Sequence, residues 1–585
     1  MRVAAALFLL CLTRVVAAEP VLVQTTTLSL RDDVTLPVDP ATRRLRFKAA
    51  TKRDGAANRI VPPLPGSGAD PTRAGASLAV ENAAGGGDAV RIELPAAGWR
   101  RLGTAAAPRG WAFRDATRGA AVARVTLKRD LLVVKGGGAG FGYTLDEPRQ
   151  DRIAVRLQSG DAAWCAEAPA RPAGNPPSTA RTDLPGRFTA QRKAAPPVAC
   201  AIAAPAFTLA VQNGYGSGSY PAGATVHVWA AVRPQDQLVT GWTGDAALLA
   251  DPGEWHTTLV MPARDATVAA TIVDRPVTLA ESQFTGVTSR QKMVRSAIPP
   301  GVRGLVLFLH GTGGSASFIT GTEAFQVALR ALESGYGVLG TEAEEAVAGD
   351  LDGDGKERWD ASLGPLNKDL GNLNALVAGL RAAGTIGPAT PLFALGMSNG
   401  GSMAVTLGAV AGSAVAGMFP ALRFGAVVSH CASGRDAAAA VTTTPTAFFM
   451  CQNDDNPEVD NADAVANSAA IAARGVPSSS AAHPPSPLYD ERYTRIAGLP
   501  LATSQALAAE VRAAGFVDAG GFFTVSTDSI VAAVTGDPSL LPTLVGLSPA
   551  LQRRVVDQTK VVQAEHEMFS DWARRAVALF ETWTP

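Results

Sequence analysis

The 585-residue sequence predicts a multidomain protein in which all-β modules precede an α/β domain with a mostly parallel sheet flanked by helices. In the first part, short alternating apolar and polar runs are separated by Gly, Pro and Asp, which is typical of antiparallel strands. From about residue 280, continuous apolar runs alternate with helical patterns. That alternation is typical of parallel strands buried on both faces.

The charge balance and the first residues restrict location and partners. Lys+Arg and Asp+Glu both number 52, so nothing favours nucleic acid or an anionic membrane as a partner. Residues 1–18 have the pattern of a Sec-type signal peptide, with Arg2 before an apolar run and small residues before Glu19. No later segment has the length and apolarity of a membrane anchor. We therefore expect a secreted or periplasmic protein.

The cysteines predict disulfides and no metal site. Beyond the signal peptide, the chain contains Cys165, Cys200, Cys431 and Cys451. Four cysteines allow three pairings, and locality favours Cys165–Cys200 and Cys431–Cys451. Their spacing does not match a zinc site. An Asp/Gly run from Asp350 matches the start of an EF-hand loop, but Ala361 stands where the twelfth-position carboxylate is needed. No metal ligands are therefore predicted.

The N-terminal half divides into three segments. Residues 19–166 contain alternating runs at 45–48, 89–94 and 152–157, which favour an all-β, sandwich-like domain. Residues 167–204 are rich in Pro, Ala and Ser and are interpreted as a linker. Residues 205–275 contain further short strands and are interpreted as a compact β module.

The module 205–275 has a recognisable order of motifs. A Gly-rich turn at 213–218 precedes a Gly-Trp-Thr-Gly-Asp element at 241–245 and a Met-Pro pair at 261–262. This order resembles the divergent InlB B-repeat family, which implies an accessory module of a bacterial exported protein. Its tryptophans, Trp229, Trp242 and Trp255, either form a face for carbohydrate or surface contact or pack in the core.

The α/β domain, residues 280–585, shows a regular series of elements. Strands are predicted at 305–309, 336–340, 391–395, 424–429 and 447–450, and helices at 322–334, 366–383, 400–410 and 568–583. One motif lies where a strand ends and a helix begins: Gly396, Met397, Ser398, Asn399 and Gly400 form G-x-S-x-G. Glycines permit a sharp turn that lifts the serine hydroxyl above the sheet. Ser398 is therefore the predicted nucleophile.

A second motif, His310-Gly311-Thr312-Gly313-Gly314, directly follows the apolar strand 305–309. Together the two motifs resemble secreted bacterial α/β-hydrolases of the polyhydroxybutyrate depolymerase and feruloyl esterase-like groups. The resemblance implies that the backbone N–H groups of Thr312 and Asn399 form the oxyanion hole. His310 then shapes the loop and is not the catalytic base.

The fold's chain order, serine then acid then histidine, identifies the remaining triad residues. Asp455 follows strand 447–450 and is the predicted acid, with Asp454 as its competitor. His566 precedes the last helix and is favoured as the base over His483. The other histidines, His227, His256 and His430, are interpreted as structural. If His566 is the base, residues 485–564 form a helical insertion, either a lid or a peripheral subdomain.

The resemblance implies carboxylic ester hydrolysis through an acyl-enzyme, with no metal or organic cofactor. The expected substrate is an ester, either a small molecule or a polymer. Two alternatives remain open. One is a serine peptidase of the prolyl-oligopeptidase type, which shares this fold and triad. The other is a non-catalytic surface-binding protein with a degenerate hydrolase domain, which the several β modules motivate.

Overall fold

A computed structural model describes residues 20–584 except 33, 35–38, 85–88, 105–106, 116, 118–119, 173–181, 203–205 and 263. The predicted signal peptide, residues 1–18, lies outside the described residues. The chain forms two compact units. The first contains the described residues up to 210 with 217–226 and 259–266, and the second contains 211–216, 227–258 and the described residues from 267 onward.

Two sheets account for most of the first unit. The strands are β1 Val21–Leu22, β2 Thr27–Arg31, β3 Arg44–Ala50, β4 Ala76–Asn82, β5 Ala89–Leu94, β6 Trp99–Gly103, β7 Pro108–Arg114, β8 Val122–Lys128, β9 Leu131–Gly137, β10 Arg152–Ser159, β11 Ala162–Pro169, β12 Asp183–Leu184 and β13 Arg187–Thr189, and a short helix, α1, spans Pro71–Ala74. The sheet orders are β1-β11-β10-β4-β5 and β12-β13-β2-β3-β9-β8-β7-β6. Alternate residues of both sheets, such as Leu78 and Phe47, enter one core.

The segment predicted as a linker is partly folded, which corrects that interpretation. Strand β11 extends to Pro169, and β13 pairs antiparallel with β2 through Phe188 opposite Leu30. Phe188 is fully buried, so one apolar residue in a Pro- and Ala-rich stretch anchors a short strand next to the sheet edge. The predicted disulfide Cys165–Cys200 is present, with the two Cα atoms 5.8 Å apart.

Seven strands lie in the described part of the segment 205–275. These are β14 Ala206–Gln212, β15 Gly214–Tyr215, β16 Gly218–Pro221, β17 Thr225–Ala230, β18 Gln237–Gly244, β19 His256–Val260 and β20 Ala266–Asp274. Trp229, Trp242 and Trp255 are buried, so they offer no exposed face for carbohydrate. Leu238 packs with Phe325 and Leu329 of the α/β domain. The two compact units divide this segment, since 217–226 belong to the first unit and 227–258 to the second.

The second unit contains an eight-stranded sheet. Its strands are β21 Ala280–Thr285, β22 Gln291–Ala297, β23 Leu305–Leu309, β24 Gly337–Thr341, β25 Leu392–Met397, β26 Phe424–His430, β27 Thr446–Cys451 and β28 Ser478–His483. Their order is β21-β22-β24-β23-β25-β26-β27-β28. The hairpin β21–β22 and the β22–β24 pair are antiparallel, and the other pairs are parallel. Every residue of β23 and β25 is buried, as the continuous apolar runs predicted.

Helices cover both faces of this sheet. The helices of the second unit, including those of an insertion, are α2 Thr322–Glu333, α3 Glu344–Ala348, α4 Lys368–Ala382, α5 Asn399–Ala409, α6 Asp436–Ala439, α7 Asn461–Ala473, α8 Leu501–Ala513, α9 Thr527–Gly536, α10 Pro542–Val545, α11 Pro549–Gln563 and α12 Ala573–Thr582. Leu307 of β23 packs with residues of α4 and α5. The next residue, Phe308, points to the opposite face and packs with residues of α2 and α12.

The predicted helical insertion is present between β28 and the His566 segment. Helices α8 to α11 surround their own apolar core, which includes Tyr493, Leu507 and Val555. Arg495 leaves this insertion to bind both carboxylate oxygens of Glu323 in α2, at 3.1 and 2.7 Å. None of the helices in the described part of the chain is long and apolar enough to cross a membrane.

Candidate active site

Ser398 occupies the strained turn between β25 and α5. Its backbone has φ 57° and ψ −128°, a conformation that costs a non-glycine residue about 1–3 kcal/mol. The turn is held on both sides, because the Ser398 N–H donates to the His430 carbonyl and the Gly401 N–H donates to the Ser398 carbonyl. The strain therefore persists in the folded state and presents the hydroxyl at the carboxyl edge of the sheet.

The two glycines of the elbow are required by close backbone contacts. A Cβ atom on Gly396 would lie 2.1 Å from the Gly400 carbonyl oxygen. A Cβ atom on Gly400 would lie 2.2 Å from the carbonyl oxygen of Leu309 and 2.4 Å from that of His310. Because real side chains do not approach this closely, only glycine lets β25, α5 and the loop after β23 meet here.

Ser398, His566 and Asp454 form a continuous hydrogen-bonded chain. His566 Nε2 lies 2.9 Å from Ser398 Oγ, and His566 Nδ1 lies 3.0 and 2.9 Å from the two Asp454 carboxylate oxygens. An ionised carboxylate only accepts hydrogen bonds, so Nδ1 carries the proton and Nε2 is free to accept from the serine hydroxyl. This is the tautomer that a histidine needs to act as a general base.

The carboxylate at His566 belongs to Asp454 and not to Asp455, the predicted acid. Asp454 has a buried side chain, whereas Asp455 is exposed to solvent. The register of this turn is set by Asn453, whose backbone N–H donates to the Ala564 carbonyl and whose Nδ2 donates to the Gln563 carbonyl. These two contacts join the acid turn to the segment before His566, so the carboxylate that follows Asn453 faces the imidazole.

His566, and not His483, contacts the Ser398 hydroxyl. His483 ends β28, where its Nε2 lies 3.5 Å from an Asp571 carboxylate oxygen. The chain returns to the elbow only after the insertion, with His566 lying 168 residues beyond Ser398. The preference for the histidine next to the last amphipathic helix therefore identified the imidazole at Ser398.

The loop after β23 lies directly beside Ser398. A Cβ atom on Gly311 would be 3.3 Å from the Ser398 Cβ. The Gly313 N–H donates to the Glu357 carbonyl, and the Gly314 N–H donates to the Gly311 carbonyl. Among the described residues, the N–H groups of Thr312 and Asn399 have no such partner. Both predicted oxyanion donors are thus available at the elbow.

His310 has the loop-shaping position expected of it. The ring is buried; Nδ1 donates to the Gly311 carbonyl at 2.7 Å, and Nε2 accepts from the Ala343 N–H at 3.1 Å. Burial lowers the pKa of His310 to about 4, so the imidazole is neutral at neutral pH. Trp359 Nε1 donates to the His310 carbonyl, and the Asn399 side chain binds the Trp359 backbone. Trp359, which sequence reasoning missed, thereby joins the loop to the elbow.

The second predicted disulfide lies beside the acid turn. Cys431 and Cys451 are bonded, with their Cα atoms 5.6 Å apart, at the ends of the adjacent strands β26 and β27. Their sulfur atoms lie 3.3 and 3.5 Å from the Glu567 carbonyl oxygen, next to His566 in the chain. The bond therefore braces the acid turn and the histidine segment from the same side.

A cavity of about 560 Å³ opens next to Trp359, beyond the Asn399 side chain. Its wall combines charged and apolar groups, including Arg358, Arg435, Asp360 and Leu363. The triad side chains are not part of this wall. Trp359, whose backbone binds the Asn399 side chain, is thus the link between this wall and the elbow.

No protein-family model and no curated protein matches the chain. Solved structures similar to part of it include a Pyrococcus furiosus esterase, Thermogutta terrifontis esterase 2 phosphorylated by paraoxon, and a Xanthomonas campestris α/β serine hydrolase without a lid. Their identities to this chain are 13%, 12% and 15%, with TM-scores of 0.26, 0.27 and 0.26. The matches cover 35%, 35% and 36% of this chain and 82%, 82% and 86% of those proteins.

Proposed function

We propose that the chain is a secreted serine hydrolase that cleaves carboxylic esters through an acyl-enzyme. The observation that carries the proposal is the Ser398–His566–Asp454 hydrogen-bond chain on a strained elbow. A serine hydroxyl is a weak nucleophile until a base removes its proton, and this arrangement supplies the base and its orienting carboxylate.

Each residue has a defined part in the reaction. Ser398 Oγ attacks the ester carbonyl carbon while His566 Nε2 takes the hydroxyl proton, and Asp454 stabilises the resulting imidazolium. The N–H groups of Thr312 and Asn399 bind the negative oxygen of the tetrahedral intermediate. One such donor typically contributes about 2.7–4 kcal/mol. His566 then returns the proton to the departing alcohol, and a water molecule activated by the same imidazole releases the carboxylic acid.

Fluorophosphonate labelling tests the catalytic proposal directly. The wild-type chain should be labelled covalently at Ser398, because the probe reacts only with an activated serine. Ser398→Ala should lose the label, whereas Ser402→Ala, in helix α5 directly after the elbow, should retain it. Absence of labelling in folded wild-type protein would instead support the non-catalytic surface-binding protein.

Substrate preference separates ester hydrolysis from the peptidase alternative. Nitrophenyl esters of increasing chain length, insoluble polyesters and peptide anilides should be compared at equal enzyme concentration. We expect turnover of the esters and none of the anilides. Faster cleavage of anilides than of any ester would assign the site to a peptidase.

We propose that the protein is exported from the cytoplasm, because its two disulfides are of the kind that persists in oxidising compartments. Mass spectrometry of the protein recovered from the medium or periplasm should show cleavage after residue 18 and four oxidised cysteines. A mature protein that retains Met1, or that carries free thiols, would contradict this assignment.

A further inference from the structure

A second group of polar side chains is buried away from the triad. His256 from β19, His483 at the end of β28 and Asp571 before α12 lie together, although they come from three distant parts of the sequence. The side chains are only 9%, 5% and 6% exposed, in that order. The proposed hydrolysis uses none of them.

The donor atoms of this cluster converge. Each residue offers one donor atom, and the three atoms lie within 4.8 Å of one another. His256 Nδ1 contacts Asp571 Oδ1, and His483 Nε2 lies 3.5 Å from the same oxygen. Bonds of zinc length in a tetrahedral site place neighbouring ligand atoms about 3.3–3.6 Å apart. The His483–Asp571 separation has that value.

A buried oxygen atom of this cluster has no hydrogen-bond partner among the described residues. Asp571 Oδ2 has no hydrogen-bond partner among the described residues, and His483 Nδ1 has none either. A carboxylate oxygen that is buried without a donor is costly, since it loses its hydration and gains nothing in exchange. A metal ion bound by both Asp571 oxygens would satisfy Oδ2 and would add a fourth donor atom to the site.

The surroundings orient at least one imidazole for this role. His256 Nε2 lies 2.9 Å from His227 Nδ1. If His256 binds a cation through Nδ1, its Nε2 carries the proton and donates to His227, which fixes the tautomer and the ring plane. Trp229 stacks on the His256 ring at 5.3 Å, and Phe569 stacks on His483 at 4.4 Å. These aromatic rings keep water from the cluster.

We propose that His256, His483 and Asp571 form a structural site for a zinc-type divalent transition-metal ion. Two imidazoles and a bidentate carboxylate supply four donor atoms, which equals the number of donor atoms that zinc binds in structural sites. The ion would join strand β28 and segment 227–258 to the chain that follows His566. Its function would be to hold the segment of the proposed general base, without taking part in hydrolysis.

Metal analysis of the full chain tests the site. The purified protein is stripped with chelator, dialysed against Zn²⁺ and then against metal-free buffer, and its zinc content is measured by mass spectrometry. We expect one zinc per chain and a higher unfolding temperature for the loaded protein than for the stripped protein. An unchanged unfolding temperature, or zinc content at background, would overturn the proposal.

Variants identify the ligands. His256→Gln and Asp571→Asn should abolish zinc retention, and His227→Gln should weaken binding about 10- to 100-fold by loosening the His256 ring. The matched control is His430→Phe, which removes a buried histidine outside the cluster and should retain one zinc. Retention by the two ligand variants would place the ion elsewhere and refute the assignment.

A wild-type measurement covers the case in which a ligand variant fails to fold. X-ray absorption by the zinc-loaded chain should show two imidazole nitrogens and carboxylate oxygens around the metal, with no sulfur. Any other set of ligands would exclude this cluster as the binding site. Neither result depends on activity, so failure of the metal site and failure of the hydrolase proposal are distinguishable.

Discussion

At the scale of single residues, the two adjacent aspartates show what local sequence leaves undecided. Asp454 and Asp455 have the same chemistry and follow the same strand. The choice between them depends on the contacts of Asn453 with Ala564 and Gln563, more than 100 residues away in the chain. A motif of a few residues contains no information on such contacts. The position of Ser398 on the elbow was therefore predictable, whereas the aspartate that faces His566 lies one position before the predicted one.

The aspartate pair gives a prediction with an internal control. Asp454→Asn should reduce kcat about 10³- to 10⁴-fold, since an amide next to Nδ1 favours the wrong imidazole tautomer. Asp455→Asn changes an exposed side chain and should leave kcat close to that of the wild type. Steady-state hydrolysis of a nitrophenyl ester measures both. If Asp455→Asn instead reduced kcat more than Asp454→Asn, Asp455 would be the acid.

At the scale of elements, strands buried on both faces were predicted from their continuous apolar runs, whereas the exposed edge strand β21 was not predicted. The runs of β23, β25 and β27 are apolar because both faces of these strands are covered. The edge strand β21 is almost wholly exposed, and its polar sequence has no such signature. Helix α7, rich in Asn and Ala, likewise lacks a strong apolar stripe, so the prediction passed over both elements.

The elbow helix provides a prediction about packing. Gly400→Ala should destabilise the protein by about 1–3 kcal/mol, because the new methyl group would overlap the carbonyl oxygens of Leu309 and His310. Gly379→Ala is the matched control. It lies in helix α4 with no atom within 4 Å of the added Cβ, so it should stabilise the helix by up to about 1 kcal/mol.

Urea denaturation followed by circular dichroism measures both glycine variants. Hydrolysis should also decrease in the Gly400→Ala protein, since the loop of the proposed oxyanion donor must move away from Ser398. Equal stability of the two variants would contradict the close contact at the elbow.

At the scale of the whole molecule, the boundary between β modules and α/β domain differs from the one that composition suggests. Arg495 stacks on Trp255, with its guanidinium carbon 3.7 Å from the ring centroid, and Gln326 binds the carbonyls of Pro234 and Gln237. The pattern of apolar and polar residues changes near residue 280, but the second compact unit also includes 227–258. Composition records local propensity, whereas a unit boundary depends on which apolar surfaces meet.

This arrangement predicts the behaviour of a truncated chain. A protein containing only residues 277–585 would expose Phe325, Arg495 and Asp571, which 227–258 cover in the intact chain. The truncated protein would lose about 2–3 kcal/mol of stabilisation from buried apolar surface, which should lower its unfolding temperature by about 5–10 °C. Differential scanning calorimetry of both proteins measures this shift. Identical midpoints would show that 227–258 add nothing to the stability of the α/β domain.

The helical insertion begins after β28, and its two ends meet where the Ser486 N–H donates to the Val562 carbonyl at 2.9 Å. The distance between acid and histidine in space is therefore independent of the number of residues between them. Lengthening an insertion whose two ends already meet adds little to its entropic cost. Proteins of this architecture can therefore gain or lose whole helices in the insertion. A pattern search that fixes the interval between the two residues would overlook such relatives, whereas one anchored on the Asn453 turn and the Ala564–His566 segment would recognise them.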